Sequence, residues 1–144
     1  MPATRRHALA ACLGLALAAA AAPALSAAGS APVATLSADA AAPLPGAAAR
    51  VLPDVRSYGE FAAGHLPGAR NLPLDELPSR LAELEPWKDA ESVVYCQTGR
   101  RAARALDALQ HAGFPHRAHL AGDLQGWLAG GRPVAAGAGP DAAR

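Results

Sequence analysis

The sequence has little surplus charge: 13 lysines and arginines stand against 12 aspartates and glutamates, a formal net charge of +1 over 144 residues. A near-neutral chain offers no electrostatic case for holding nucleic acid, and this length argues for one domain. Cysteine is also scarce, with Cys12 and Cys96 the whole supply. Cys12 falls in a segment that reads as removable, so Cys96 is left alone and no internal disulfide is expected. A solitary thiol in an exported chain is either an inert core residue or a reactive group, and composition does not choose between them.

The removable segment is residues 1–28. Arg5, Arg6 and His7 make a positive start, an uncharged apolar run follows from Ala8 to Ala22, and Ser26, Ala27 and Ala28 offer small-residue cleavage positions. This is the pattern of a secretory signal peptide. The run is short for a membrane span and lacks a basic stop-transfer flank, so no membrane association is expected after its removal. Thr4-Arg5-Arg6 lacks the aromatic residue that follows a twin-arginine pair. Cys12 precedes most of the apolar run, where a lipoprotein cysteine follows it. An ordinary secretory signal and a periplasmic destination are the expectation.

Residues 29–49 are mostly Ala, Pro, Gly, Ser and Leu, with Pro32, Pro43 and Pro45 interrupting any helix, and they read as a linker. The compact domain is expected over 50–134, with residues 135–144 a flexible tail. A domain this small has a thin core, and a monomer is expected.

Within that domain, "RVLPDV" fits a first strand, though Pro53 argues against a central place in a sheet. "SYGEFAAG" fits a short helix with Ser57 as cap, Glu60 completing a capping box and Gly64 as the stop. "HLPGARNLP" reads as a turn and an extended piece, and Asp75 to Leu84 as a helix capped by Asp75 and ended before Pro86. "SVVYC", Ser92 to Cys96, is the strongest strand signal. It runs into a helix from Arg100 to Ala112 whose apolar face is Ala102, Ala105, Leu106 and Leu109. "HRAHLAG" fits a further strand and "DLQGWLAGG" a last helix, with Trp127 in the core. The alternation predicts an α/β domain with a mostly parallel central sheet flanked by helices, and a ligand site at the strands' carboxyl ends. Cys96 stands at such an end.

A cysteine between a strand and a helix lies near unpaired backbone amides and the positive end of the helix dipole, both of which favour thiolate. Gly99 lets the loop curl so that amides of Gln97, Thr98 and their neighbours face one centre, as in an anion-binding nest. Arg100 and Arg101 add positive charge there. The context therefore favours a reactive Cys96 that meets an anionic substrate.

"CQTGRR" resembles the Cys-x-x-Gly-x-Arg loop of the rhodanese family. "LPDVRSYGEFAAGHLPGARNLP" is similar to that family's opening segment, and "LAGDLQGWLAGGRPV" to its closing one. The three motifs stand in the family's order across Val51 to Val134, and with the signal segment they resemble small single-domain periplasmic thiosulfate sulfurtransferases. The resemblance implies double displacement: Cys96 takes the sulfane sulfur of thiosulfate as a persulfide, sulfite leaves, and cyanide or a thiol takes the sulfur on. Loop amides would stabilise the anions and Arg100 or Arg101 would hold the sulfonate oxygens, with no metal or organic cofactor needed. The alternative is a persulfide carrier without turnover, serving an exported sulfur-metabolism partner. Related phosphatase and arsenate-reductase loops place Arg one residue further on, where this chain has Ala102, so the cradle is too small to favour phosphoryl transfer.

This chain departs from the family in having Pro53 at an apolar strand position and Asp123 in place of a frequent second glycine. The helix often found before the first strand is not legible. Asp54 and Arg56 are expected to form a structural ion pair that supports the site. His65 is expected to order its turn, and His111, His116 and His119 to be solvent-exposed rather than metal ligands.

Overall fold

Val93, Val94 and Tyr95, the most strand-prone run in the chain, form the middle of the sheet. The computed structural model describes residues 32–42 and 50–139. The expected signal peptide, residues 29–31 and 43–49 of the linker, and residues 140–144 of the tail lie outside the described residues. Strand β4 (Ser92–Val94) pairs in parallel with β5 (Arg117–Leu120), and β5 pairs in parallel with β1 (Ala34–Leu36). On its other side β4 is bridged through Val51–Ser92 and Asp54–Tyr95 to the parallel pair β2 (Pro53–Asp54) and β3 (Arg70–Asn71). The order across the sheet is β1-β5-β4-β2-β3, an α/β arrangement with a parallel sheet and helices on both faces.

Side chains alternate across β4, as the two-residue strand period requires. Val93 and Tyr95 enter one core with Phe61, Leu66, Leu120 and Trp127, under α1 (Ala38–Ala41), α2 (Tyr58–Ala63) and α5 (Asp123–Ala129). Val94 and Cys96 enter the other with Leu84, Ala102, Ala105 and Leu109, under α3 (Leu77–Arg80) and α4 (Arg100–His111). Pro53 is accommodated because the neighbouring strand needs only its carbonyl, which accepts from Tyr95 N–H at 3.2 Å. Ser57 and Glu60 form the capping box, and Gly64 follows the last residue of α2.

Three segments differ from their sequence reading. Residues 34–41, assigned to the linker on composition, carry β1 and α1. Leu36 pairs with Leu120 in register, Ser37 caps α1, and Ala41 is fully buried. The start of the tail is likewise paired: His65 and Ala135 exchange backbone hydrogen bonds, and Gly137 N–H donates to the Ala62 carbonyl at 2.9 Å. The helix expected over 75–84 is instead α3 followed by a 3₁₀ stretch, Leu81–Trp87, and Asp75 does not cap it. Leu81 and Leu84, three residues apart, suit a three-residue turn, and Pro86 has no N–H to give an α-helical bond.

Candidate active site

The sheet delivers Cys96 to the floor of a tight loop. Its backbone ends the run of β4, and its carbonyl accepts from Leu124 N–H at 3.0 Å, which docks the start of α5 against the loop. The residue is 1% exposed and its thiol is free of any disulfide. Gly99 N–H donates to Sγ at 3.0 Å. That bond needs Gly99 at φ +107°, a left-handed conformation, with α4 beginning at the next residue. A β-carbon at position 99 would also lie 3.0 Å from Asp123 Oδ2 and 3.3 Å from His119 Cε1. Amides of the first turn of α4 have no intrahelical partners, so an anion at Sγ faces donors and the positive end of a twelve-residue helix. The thiol is thus both buried and hydrogen-bonded: it belongs to an apolar core, and its sulfur meets an amide.

Gln97, Thr98 and Gly99 form the turn that leads from Cys96 into α4, where Arg100 and Arg101 are the first two residues, and the structure separates the two arginines. Arg100 is exposed and makes no ion pair among the described residues. Arg101 is half-buried and grips Glu60 through both terminal nitrogens, at 2.7 and 2.8 Å, while its positive charge also acts on Cys96. Its guanidinium is pushed further up by the Glu60 hydrogen bond. The same bond, ahead of the Ser57 contacts, holds the Glu60 carboxyl down from 4.5 to about 2. Glu60 therefore serves twice, as capping-box residue of α2 and as the anchor of the cysteine loop.

A depressed carboxyl contributes stability that is fully present above its unfolded value, near pH 4.5, and is lost as the pH falls towards 2. The Glu60 side chain is 37% exposed, so solvent screening limits the effect to about 1 kcal/mol or less. Denaturant unfolding of wild type and Glu60→Gln across pH 5 to 2 should show the wild-type advantage shrinking with acid. A constant difference would contradict the coupling.

Arg56 lies over the ring of Tyr95, whose side chain enters the core opposite the one that holds Cys96, and it pairs there with Asp54. Asp54 is fully buried and Arg56 nearly so, with the guanidinium on both carboxylate oxygens at 2.6 to 3.1 Å. Arg56 also donates to the Glu60 and Gly64 carbonyls, at 3.2 and 2.7 Å. The pair fastens α2, and hence Glu60, to the end of β2. Tyr95 is pushed well up by burial and then by Asp54, and its hydroxyl accepts from Leu66 N–H at 3.1 Å. His65 orders its turn by bonding the Phe61 carbonyl at 2.9 Å and stacking on the Phe61 ring.

Two residues near the loop escaped the sequence reading. Asp123, 2% exposed, accepts from Cys96 N–H at 2.9 Å and from His119 Nε2 at 3.0 and 3.1 Å. His119 is therefore half-buried and paired, not solvent-exposed, while His111 and His116 are exposed. The one available signal was the aspartate at a position where the family often has glycine. Among the described residues no group of three or more His, Cys, Asp or Glu is placed to hold a metal ion, and no helix is long and apolar enough to cross a membrane.

A model of the rhodanese-like domain matches residues 37–130. A sulfurtransferase of Allochromatium vinosum is 34% identical over 86 residues, covering 60% of this chain and 78% of that protein. The human thiosulfate:glutathione sulfurtransferase is 36% identical over 87 residues, covering 52% of this chain and 76% of that protein. The solved structure described as a rhodanese with anions from E. coli aligns with a TM-score of 0.54 at 32% identity, covering 62% of this chain and 100% of that one.

Proposed function

We propose that this chain, which belongs to the rhodanese-like domain family and to its sulfurtransferases, moves sulfane sulfur from thiosulfate to cyanide or a thiol. The observation that carries the reading is the hydrogen bond from Gly99 N–H to the buried Cys96 Sγ in a partly exposed loop at a helix N-terminus. The thiolate attacks the outer sulfur of thiosulfate. A new S–S bond forms, the S–S bond of thiosulfate breaks, and sulfite leaves with the electron pair. Cys96 then holds a persulfide whose terminal sulfur is anionic and takes hydrogen bonds from the loop amides. The second nucleophile attacks that terminal sulfur and releases the Cys96 thiolate, so no net electron or proton is required from a cofactor.

The arginines divide the work. Arg101, held by Glu60, keeps the loop in shape and supplies fixed positive charge beside Sγ. Arg100, exposed at the rim, is the group that meets the sulfonate oxygens, with Gln97 and Thr98 beside it. Arg100→Ala should raise KM for thiosulfate by about fivefold to tenfold with kcat nearly kept, the loss of one exposed charge-assisted contact. A fall in kcat at unchanged KM would reassign Arg100 to the chemistry. The positive start and apolar run before residue 29 support export to the periplasm, where a lone cysteine has no partner within its own chain.

Thiocyanate formation from thiosulfate and cyanide tests the whole reading. Saturable turnover by the wild-type protein is expected. Failure to turn over, with a stable Cys96 persulfide, would favour the carrier alternative.

A further inference from the structure

Asp123 supports the cysteine loop from behind, and the sulfur-transfer steps make no use of it. Its φ is +54°, the one left-handed backbone outside glycine among the described residues. Side chains rarely accept that conformation, and Asp, Asn and Gly are the residues that do. The carboxylate is almost wholly buried, and an ionised carboxylate only accepts hydrogen bonds. Its donors are the Cys96 amide at 2.9 Å and His119 Nε2, which spans both oxygens at 3.0 and 3.1 Å and therefore carries a hydrogen. Oδ2 and the His119 ring together fill the space behind Gly99 that a β-carbon would occupy. One side chain thus holds the amide of Cys96 and walls the back of the glycine whose amide faces Sγ.

We propose that Asp123 is a positioning residue for the cysteine loop: by accepting from Cys96 N–H it fixes Sγ against the Gly99 amide. Without that acceptor the buried Cys96 amide is unsatisfied, and the loop is driven to rotate or admit water. His119 keeps the carboxylate turned towards Cys96. The effect on catalysis rests on the sulfur-transfer reading, whereas the effect on the thiol does not.

Two variants of the full chain test the acceptor. Asp123→Asn and Asp123→Gly both remove the charge and both suit a left-handed backbone, but Asn alone retains an oxygen acceptor. The measurements are the iodoacetamide alkylation rate of Cys96 at one pH, kcat and KM with thiosulfate and cyanide, and Tm. The Asn variant is expected to keep at least about a third of wild-type kcat, while the Gly variant falls at least about fivefold below Asn in kcat and in alkylation rate. KM should differ between the two by less than about twofold, and Tm by a few degrees at most. Equal alkylation and equal kcat in the two variants would overturn the proposal, as would a Gly defect that only follows loss of folded protein. If the wild type turns over no donor, sulfur transfer from thiosulfate fails as a reading, and the alkylation ratio still decides the role of Asp123.

Discussion

Cys96→Ser is expected to eliminate thiosulfate–cyanide turnover, a loss of more than about a thousandfold, while leaving the fold in place. The sulfur is the only atom in the loop that can carry a second sulfur, and a serine hydroxyl is neither ionised nor nucleophilic without a base beside it. Serine nearly matches cysteine in size, and the Gly99 amide that faces Sγ can donate to Oγ instead. The apolar residues of the core that Cys96 belongs to, among them Val94, Ala102 and Leu106, then keep their places. The predicted signature is therefore lost turnover with Tm within a few degrees of wild type. Residual turnover above about a hundredth of wild type would place the sulfur-carrying step on another group.

The largest effect on stability should come from Asp54→Ala. It leaves the Arg56 guanidinium buried, with the Glu60 and Gly64 carbonyls and the Tyr95 ring 5.9 Å away as its remaining neighbours. Removing one member of a buried, hydrogen-bonded ion pair costs about 3–5 kcal/mol because the other charge is stranded. A domain of this size holds about 5–15 kcal/mol in total, so denaturant midpoints should fall steeply. Activity should fall with the folded fraction, and also through the chain from Arg56 to α2, from α2 to Glu60, and from Glu60 to Arg101. A midpoint unchanged from wild type would show that this pair does not hold α2 to the sheet.

The strand–turn–helix around Cys96 was legible because its parts are consecutive: a β-branched run, a thiol, a glycine in the turn, two arginines and an apolar helix face. The parallel sheet followed from the same alternation repeated along the chain. Contacts between distant segments were not legible. Glu60 and Arg101 lie 41 residues apart, and the capping box fully explained Glu60 from its neighbours alone. Strand β1 was hidden because Ala34, Thr35 and Leu36 carry almost no hydrophobic pattern, and their reason for being extended is β5, far along the chain. Leu81 and Leu84 misled in the other direction, since a spacing of three suits both an α-helix and the 3₁₀ turn that Pro86 enforces. Asp123 stood out as a departure from glycine, but only the fold shows its carboxylate beneath the Cys96 amide.

The central claim is that Cys96 itself takes and passes on sulfur, and intact-mass and peptide spectrometry after brief exposure to thiosulfate tests it most directly. A mass gain of one sulfur atom is predicted, localised to Cys96, released by cyanide as thiocyanate and missing from Cys96→Ser. A wild-type Cys96 that remains a plain thiol under saturating thiosulfate would contradict it.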